Sequence, residues 1–284
     1  MDKISEEARL RGTMGTGASS ATIPRILKKR YKTHQNLILG LTSVLGLLAL
    51  WQLFVSFGFV DPVFTSTPKG VALSAVSLIQ TEELWISTGV TMREFSLGFG
   101  VSALIGIPVG IMMGWYRGVW GLLNPLVSAL YGLPRLALLP LLVLWFGIGM
   151  QARVVQVISV AILPIIVNTA VGVHVLDPAL LRVARSFRAS DLQIFRTVAL
   201  PGSVPYILTG LRIGVGQGMV AVIAAELFIG NEGLGYLLAW YGASFLMANL
   251  MFVILVTGAI GIIFVELLSR IEKRFESWRP AVRE

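Results

Sequence analysis

Charge is what this sequence lacks most. Asp, Glu, Lys and Arg make up 13% of its 284 residues, where a soluble domain carries about 25%. Cysteine is absent, which excludes disulfides, thiolate metal sites and cysteine nucleophiles. The two histidines, His34 and His174, stand far apart with no HExxH spacing around either. No GxxxxGK[ST] phosphate loop occurs. The glycines of GVGQG at 214–218 come without a lysine and inside an apolar run, where helix packing is their reading. There is no GxSxG elbow and no convincing set of paired acids or Ser/His partners. The chain is therefore assigned no catalytic residue, no metal ligand and no cofactor of its own, and any ATP hydrolysis would belong to another polypeptide.

Apolar length is what it has. Hydrophobic residues reach 55%, the mean hydropathy is +0.80, and runs of the length that spans a bilayer recur along the chain. Residues 1–35 are polar and read as a disordered N-terminus, with GTMGTGASSAT at 12–22 its Gly/Ser/Thr-rich centre. Arg25, Lys28, Lys29, Arg30 and Lys32 precede a first apolar run, 37–59, that is too long for a signal-peptide core and has no small-x-small cleavage site behind it. It reads as an uncleaved first span within 36–60. Asp61-Pro62 and Thr67-Pro68 mark a turn before a less apolar helix at 69–84. Further spans fall at 87–113, at 121–146 with Pro125, Pro134 and Pro140 inside it, at 152–174, at 203–229 and at 245–268, with 230–242 read as a loop. The expected fold is an all-α integral membrane protein of about six transmembrane helices, with no internal repeat, a core over 61–270 and a basic C-terminus at 271–284.

The net charge of +8 gathers at the span ends, so it reads as cytoplasmic loops against lipid headgroups and not as a nucleic-acid surface. By the same rule both termini and the loop at 176–201 are cytoplasmic, while 60–86 and 230–242 face outward.

That loop is the polar exception. RVARSFRASDLQIFRTVALPG, 182–202, holds four arginines. Leu180, Ala184 and Phe187 share one helical face; Arg182, Arg185 and Arg188 line another. Ser190 with Gln193 three residues on is the capping-box pattern, and Asp191 places a negative charge at the new helix's positive end. Leu192, Phe195 and Val198 form an apolar stripe, and Pro201 is expected to stop the helix. The residues alone leave two readings open: a basic helix pair lying on headgroups, or a knob that docks into a cytoplasmic partner.

The stretch resembles the cytoplasmic loop of permease subunits of ATP-binding cassette (ABC) importers, which reads Glu-Ala-Ala, three residues, Gly, nine residues, Ile, any residue, Leu-Pro. Here Arg182-Val183-Ala184, Arg188, Val198 and Leu200-Pro201 stand at those positions. PVFTSTPKGV (62–71), LGFGVSALIGIPVGIMMG (97–114), LALLPLLVLWFGIG (136–149), ILPIIVNTAVGVHVLDPALL (162–181), LPGSVPYILTGLRIG (200–214) and AAELFIGNEGLGYL (224–237) are similar to the nitrate, sulfonate, taurine and bicarbonate branch, in order, over roughly residues 60–275. The resemblance implies the type I importer permease fold in a bacterial inner membrane. It also implies pairing with a second permease copy, two cytoplasmic ATPase subunits holding ATP and Mg, and an extracytoplasmic binding protein. Residues 184–196 become the coupling-helix region. The implied coupling positions are Ala184, Arg185, Ser186, Phe187, Arg188, Ala189, Ser190, Asp191, Phe195, Leu200 and Pro201. Arg188 departs from the glycine, which could end a helix with φ > 0; a non-glycine there loses of order 1 kcal/mol. Either the bend is made differently, or Arg188 gains a partner such as a carboxylate on the ATPase.

Ionisable groups inside spans face protein or water. Arg93 and Glu94 read as boundary residues near an outer end, and Glu266 as an i,i+4 partner of Arg270. Arg135 follows Pro134 in a span with broken backbone bonding, where the related permeases tend to have an apolar residue or proline; it reads as lining a path or as half of an internal salt bridge. Arg212 and Glu226 lie about 21 Å apart along one helix and cannot pair. Gly210, Gly214 and Gly218 form a close-packing ridge, expected against the span at 121–146 or a second subunit. With Asn168 and Gln217 these give a candidate substrate path of Arg135, Asn168, Arg212, Gln217 and Glu226, whose cationic lining and branch resemblance suit a small anion. The rival readings are an ion-coupled secondary carrier, which would be expected to show paired broken helices, and a non-transport membrane enzyme or scaffold.

Overall fold

The computed structural model describes residues 25–175 and 178–275, the side chains at 25–37, 62 and 178 excepted. The expectations for the start of the polar N-terminus, for the His34 side chain and for residues 276–284 lie outside it. Among the described residues the chain forms helices and no strand. Helix α1 (Arg25–Ser56) belongs to a unit of its own, and its stretch Ile38–Ser56 is long and apolar enough to cross a membrane. The chain from Phe57 onward makes a second compact unit.

That unit begins with α2 (Pro62–Thr65) and α3 (Pro68–Ile79). Thr67 caps α3, its Oγ1 accepting the Gly70 N–H at 2.9 Å, and Pro68 fills a first-turn position where its missing N–H is harmless. Helices α4 (Glu82–Trp115) and α5 (Arg117–Gly132) follow, then a 3-10 turn (Arg135–Leu138) running into α6 (Leu139–Phe146). Next come α7 (Met150–His174), α8 (Pro178–Ser186), α9 (Asp191–Ile194), a π turn (Phe195–Ala199), α10 (Leu200–Ile229), α11 (Leu234–Ala243) and α12 (Met247–Phe275). Among the described residues five helices are long and apolar enough to cross a membrane, and six spans result if the bent pair α5–α6 is one.

Three sequence expectations need correction. The span at 121–146 is not one rod: its halves meet at 87°. Leu133, preceding Pro134, is pushed to an extended φ/ψ of −76°, 143°, so α5 must end there. The segment 230–242 is not a loop. Only Gly230–Gly233 is irregular, and α11 opens at Leu234 with its buried face of Leu234, Leu237, Leu238 and Tyr241 turned inward. Pro201 does not stop its helix. It sits at the second position of α10, directly after the π turn Phe195–Ala199, whose wider ring accommodates a residue without an N–H and carries the helix through.

Helix α7 is the centre, packed between α4 and α10 and buried on several faces, from Ala152 and Val157 through Ile165 to Val173. Small residues let the three axes approach. A Cβ at Gly98 would fall 2.6 Å from Val157, at Gly110 2.6 Å from Thr169, and at Gly114 2.5 Å from Val173. The Gly210–Gly214–Gly218 ridge likewise meets α7, at Asn168, Ala161 and Val157, and not the span at 121–146. Phe95 closes this core, stacked on Phe99 with centroids 5.6 Å apart and edge-on to Phe264 at 5.3 Å.

Candidate functional site

The polar loop is built from two local motifs placed end to end. Helix α8 closes in a Schellman arrangement: the Arg188 N–H donates to Arg185 O at 2.9 Å and the Ala189 N–H to Ala184 O at 3.1 Å. Arg188 has φ 54°. It takes the left-handed conformation a glycine would take, so the bend is made in the glycine's way by an arginine. Ser190 then caps α9: its Oγ accepts the Gln193 N–H at 3.3 Å, while Gln193 Oε1 accepts the Ser190 N–H at 2.8 Å. Ile194 and Ala199, 1% and 0% exposed, seat the segment. The Phe195 ring meets Trp115 edge-on at 5.3 Å, tying the loop to the last turn of α4. Leu192, expected in the apolar stripe, is exposed with Val183 and Leu180, and Phe187 stands 82% exposed. Arg185, Ser186, Arg188 and Asp191 are exposed around it. Ile194, the best buried anchor of the loop, escaped the sequence reading because the i, i+3 stripe through Leu192 and Phe195 passes it by.

A second site forms at the bend between α5 and the 3-10 turn. A cavity of about 470 Å³ is lined by Leu133, Pro134, Arg135, Leu136, Val160, Gly216, Gln217 and Val220. Among the described residues Arg135 makes no salt bridge, contrary to one of its two expected readings. Its Nη1 donates to Val160 O at 3.1 Å, its guanidinium lies 5.1 Å from the Tyr131 ring centroid, and its own carbonyl accepts from Gln156 Nε2 at 3.1 Å. Gln217 Oε1 is buried and has no hydrogen-bond partner among the described residues.

The other path candidates lie elsewhere. Asn168 Nδ2 donates to Pro164 O at 2.8 Å within α7, beside Gly210. Arg212 Nη1 approaches Glu272 Oε2 at 3.4 Å on α12. Glu266 and Arg270 make the expected i,i+4 pair at 3.1 Å. His174 stacks on Trp120 with centroids 5.5 Å apart.

Glu226 belongs to a buried polar cluster that the sequence reading missed. Its Oε2 accepts the Thr91 hydroxyl at 2.9 Å and the Gly235 N–H at 2.8 Å, and Thr91 Oγ1 accepts the Leu234 N–H at 2.9 Å. Near them Glu94 is no boundary residue, since it meets Arg153 of α7. Both are 1% exposed, and Arg153 Nη2 lies 2.8 Å from Glu94 Oε1 and 3.2 Å from Glu232 Oε1. The signal was there in the i, i+3 spacing of Thr91 and Glu94, which puts both on one face of α4.

Residues 106–278 match the family model described as "Binding-protein-dependent transport system inner membrane component". The chain is 31% identical over 265 residues to the taurine transport system permease protein TauC of Escherichia coli (strain K12), covering 91% of this chain and 96% of that one. It is 32% identical over 242 residues to the putative aliphatic sulfonates transport permease protein SsuC of the same organism, covering 83% and 90%. Among solved structures, an amino acid ABC transporter crystallised with histidines superposes with a TM-score of 0.56 at 18% identity, over 71% of this chain and 97% of that one, a likeness of fold. With five to six apolar spans already in place, the chain belongs to the binding-protein-dependent transport system inner membrane component family and is a multi-pass ABC transporter permease.

Proposed function

We propose that this permease forms the translocation path of an importer for a small anion and takes its power stroke from separate ATPase subunits that grip residues 178–201. The single observation that carries this reading is the build of the loop. An apolar ring, Phe187, is held 82% exposed on a segment whose bend is pinned by a Schellman turn and a capping box. Left in water that ring is unfavourable by about 1.5–3 kcal/mol relative to burial, which suits seating in a partner's groove. Helix α9 runs through the π turn into α10 without a break, so a push on the loop reaches a span as a rigid displacement.

In this reading two permease copies pair, two ATPases bind from the cytoplasm where both termini lie, and a binding protein delivers the substrate from outside. ATP and Mg sit on the ATPases, and the complex resides in the bacterial inner membrane. The relatives named for taurine and aliphatic sulfonates support an anionic substrate, as does Arg135 at the bend cavity.

The test uses the absence of cysteine. A Phe187→Cys chain has one thiol. Co-expressed with its partner ABC ATPase, carrying single cysteines around its groove, it is expected to crosslink to that ATPase in a nucleotide-dependent way. A thiol at 187 that reacts only with lipid-anchored reagents would overturn the docking reading.

A further inference from the structure

Four observations converge on the bend. Arg135 is engaged by no carboxylate among the described residues; the ion pairs there take Arg153, Arg212 and Arg270. A guanidinium has five N–H donors, and the Arg135 side chain directs one at Val160 O. Gln217 is the other polar residue that lines the same cavity. The remaining wall is aliphatic: Leu133, Leu136, Val160 and Val220.

From this we propose that the permease carries its own selecting site at the bend, with Arg135 as the specificity-determining residue, for a monovalent organic anion with a short apolar tail. The head group meets the free guanidinium N–H donors, and an oxyanion accepts them in a fork. One cation in an aliphatic pocket neutralises one charge. A second charge on the ligand would be left unpaired where desolvation is expensive, so dianions are disfavoured. A cavity of about 470 Å³ is at the lower end of the range for small-molecule sites, and its apolar wall matches a short carbon chain better than a fully hydrated inorganic ion.

Asn124, Ser128 and Tyr131 fall at i, i+4 and i+7 on α5 and line a second cavity of about 310 Å³. Tyr131 is also the ring beneath the Arg135 guanidinium. The proposed exit runs past the Arg135–Tyr131 contact and along this polar stripe of α5. Nothing in that stripe is charged, so an anion passing along it is held by hydrogen bonds weak enough to leave.

This inference rests on the importer reading, and its test is separate from the Phe187 crosslink. In the cysteine-free chain, Val220→Cys puts one thiol on the cavity wall. The purified permease–ATPase complex in liposomes is labelled with a negatively charged methanethiosulfonate, with and without ethanesulfonate. Ethanesulfonate at about ten times its half-protecting concentration is expected to slow labelling by about tenfold, since the slowing follows 1 + [L]/Kd. Sulfate should slow it far less. In Val220→Cys/Arg135→Ala the protection should disappear, and in Val220→Cys/Arg135→Lys it should survive in part. Failure of ethanesulfonate to protect the parent thiol, which needs no Arg135 variant to read, overturns the site. So does equal protection with and without Arg135. A complex that crosslinks at 187 yet shows no protection keeps the importer reading and loses this one.

Discussion

Arg153 Nη2 lies 2.8 Å from Glu94 Oε1, and neither side chain is more than 1% exposed. The pair joins α4 to α7 at the end of the bundle where Glu232 adds a second carboxylate at 3.2 Å. Arg153→Met would leave Glu94 buried without a countercharge, a loss of about 3–5 kcal/mol. The melting temperature of the purified protein in detergent should fall accordingly. Adding Glu94→Leu should recover most of the loss, since an apolar replacement of a buried pair is often neutral or better. A single Arg153→Met variant that melts like the parent would show that the pair contributes no stability.

Gly233 has φ 100°, and a Cβ there would come 2.4 Å from Glu226 Cδ. Gly233→Ala should therefore combine backbone strain with a clash against a fully buried carboxylate and cost about 2 kcal/mol or more. The effect should be local to α11, read as faster amide exchange at Leu234 and Gly235, whose N–H groups hydrogen-bond Thr91 and Glu226. Gly89→Ala, with nothing within 4 Å of the added carbon, is the neutral control.

Arg188 holds φ 54°. Arg188→Gly should keep the bend and leave stability within about 1 kcal/mol, relief of strain being offset by a freer unfolded chain. Arg188→Val should loosen it, since a β-branched residue tolerates this conformation poorly. Exchange of the Ala189 amide, bonded to Ala184 O, reports the difference. Should Arg188→Gly preserve that amide while lowering transport-coupled ATP hydrolysis, the arginine's gain comes from the ATPase and not from the fold.

Trp115 and Phe195 meet at 5.3 Å, which links the loop to α4 as well as to α10. Trp115→Ala should remove an aromatic contact of about 1 kcal/mol and leave the Phe187→Cys crosslink in place. ATP hydrolysis should then continue with less substrate moved per ATP. Equal stoichiometry in parent and variant would assign transmission to α10 alone.

Where local spacing was enough, the sequence was a sufficient guide. The capping box at Ser190–Gln193, the end of α8 near residue 187 and the Glu266–Arg270 pair all depend on residues within four or five positions of each other. Pro201 was misread because a proline's effect depends on where a helix begins, and the π turn at Phe195–Ala199 had no signature in the residues. The Gly210 ridge was recognised as a packing surface, but the helix it meets is a long-range choice, and α7 takes it.

By itself the sequence determined the class of molecule. Apolar runs of bilayer length, a low charge fraction and a single polar insert leave few other folds, because backbone groups in hydrocarbon must bond within helices. Tertiary structure alone decided which charges are buried together. It brought Arg153 to Glu94. Those partners come from different helices, and a charge inside a membrane is tolerable only where the packing of several helices delivers its counterpart.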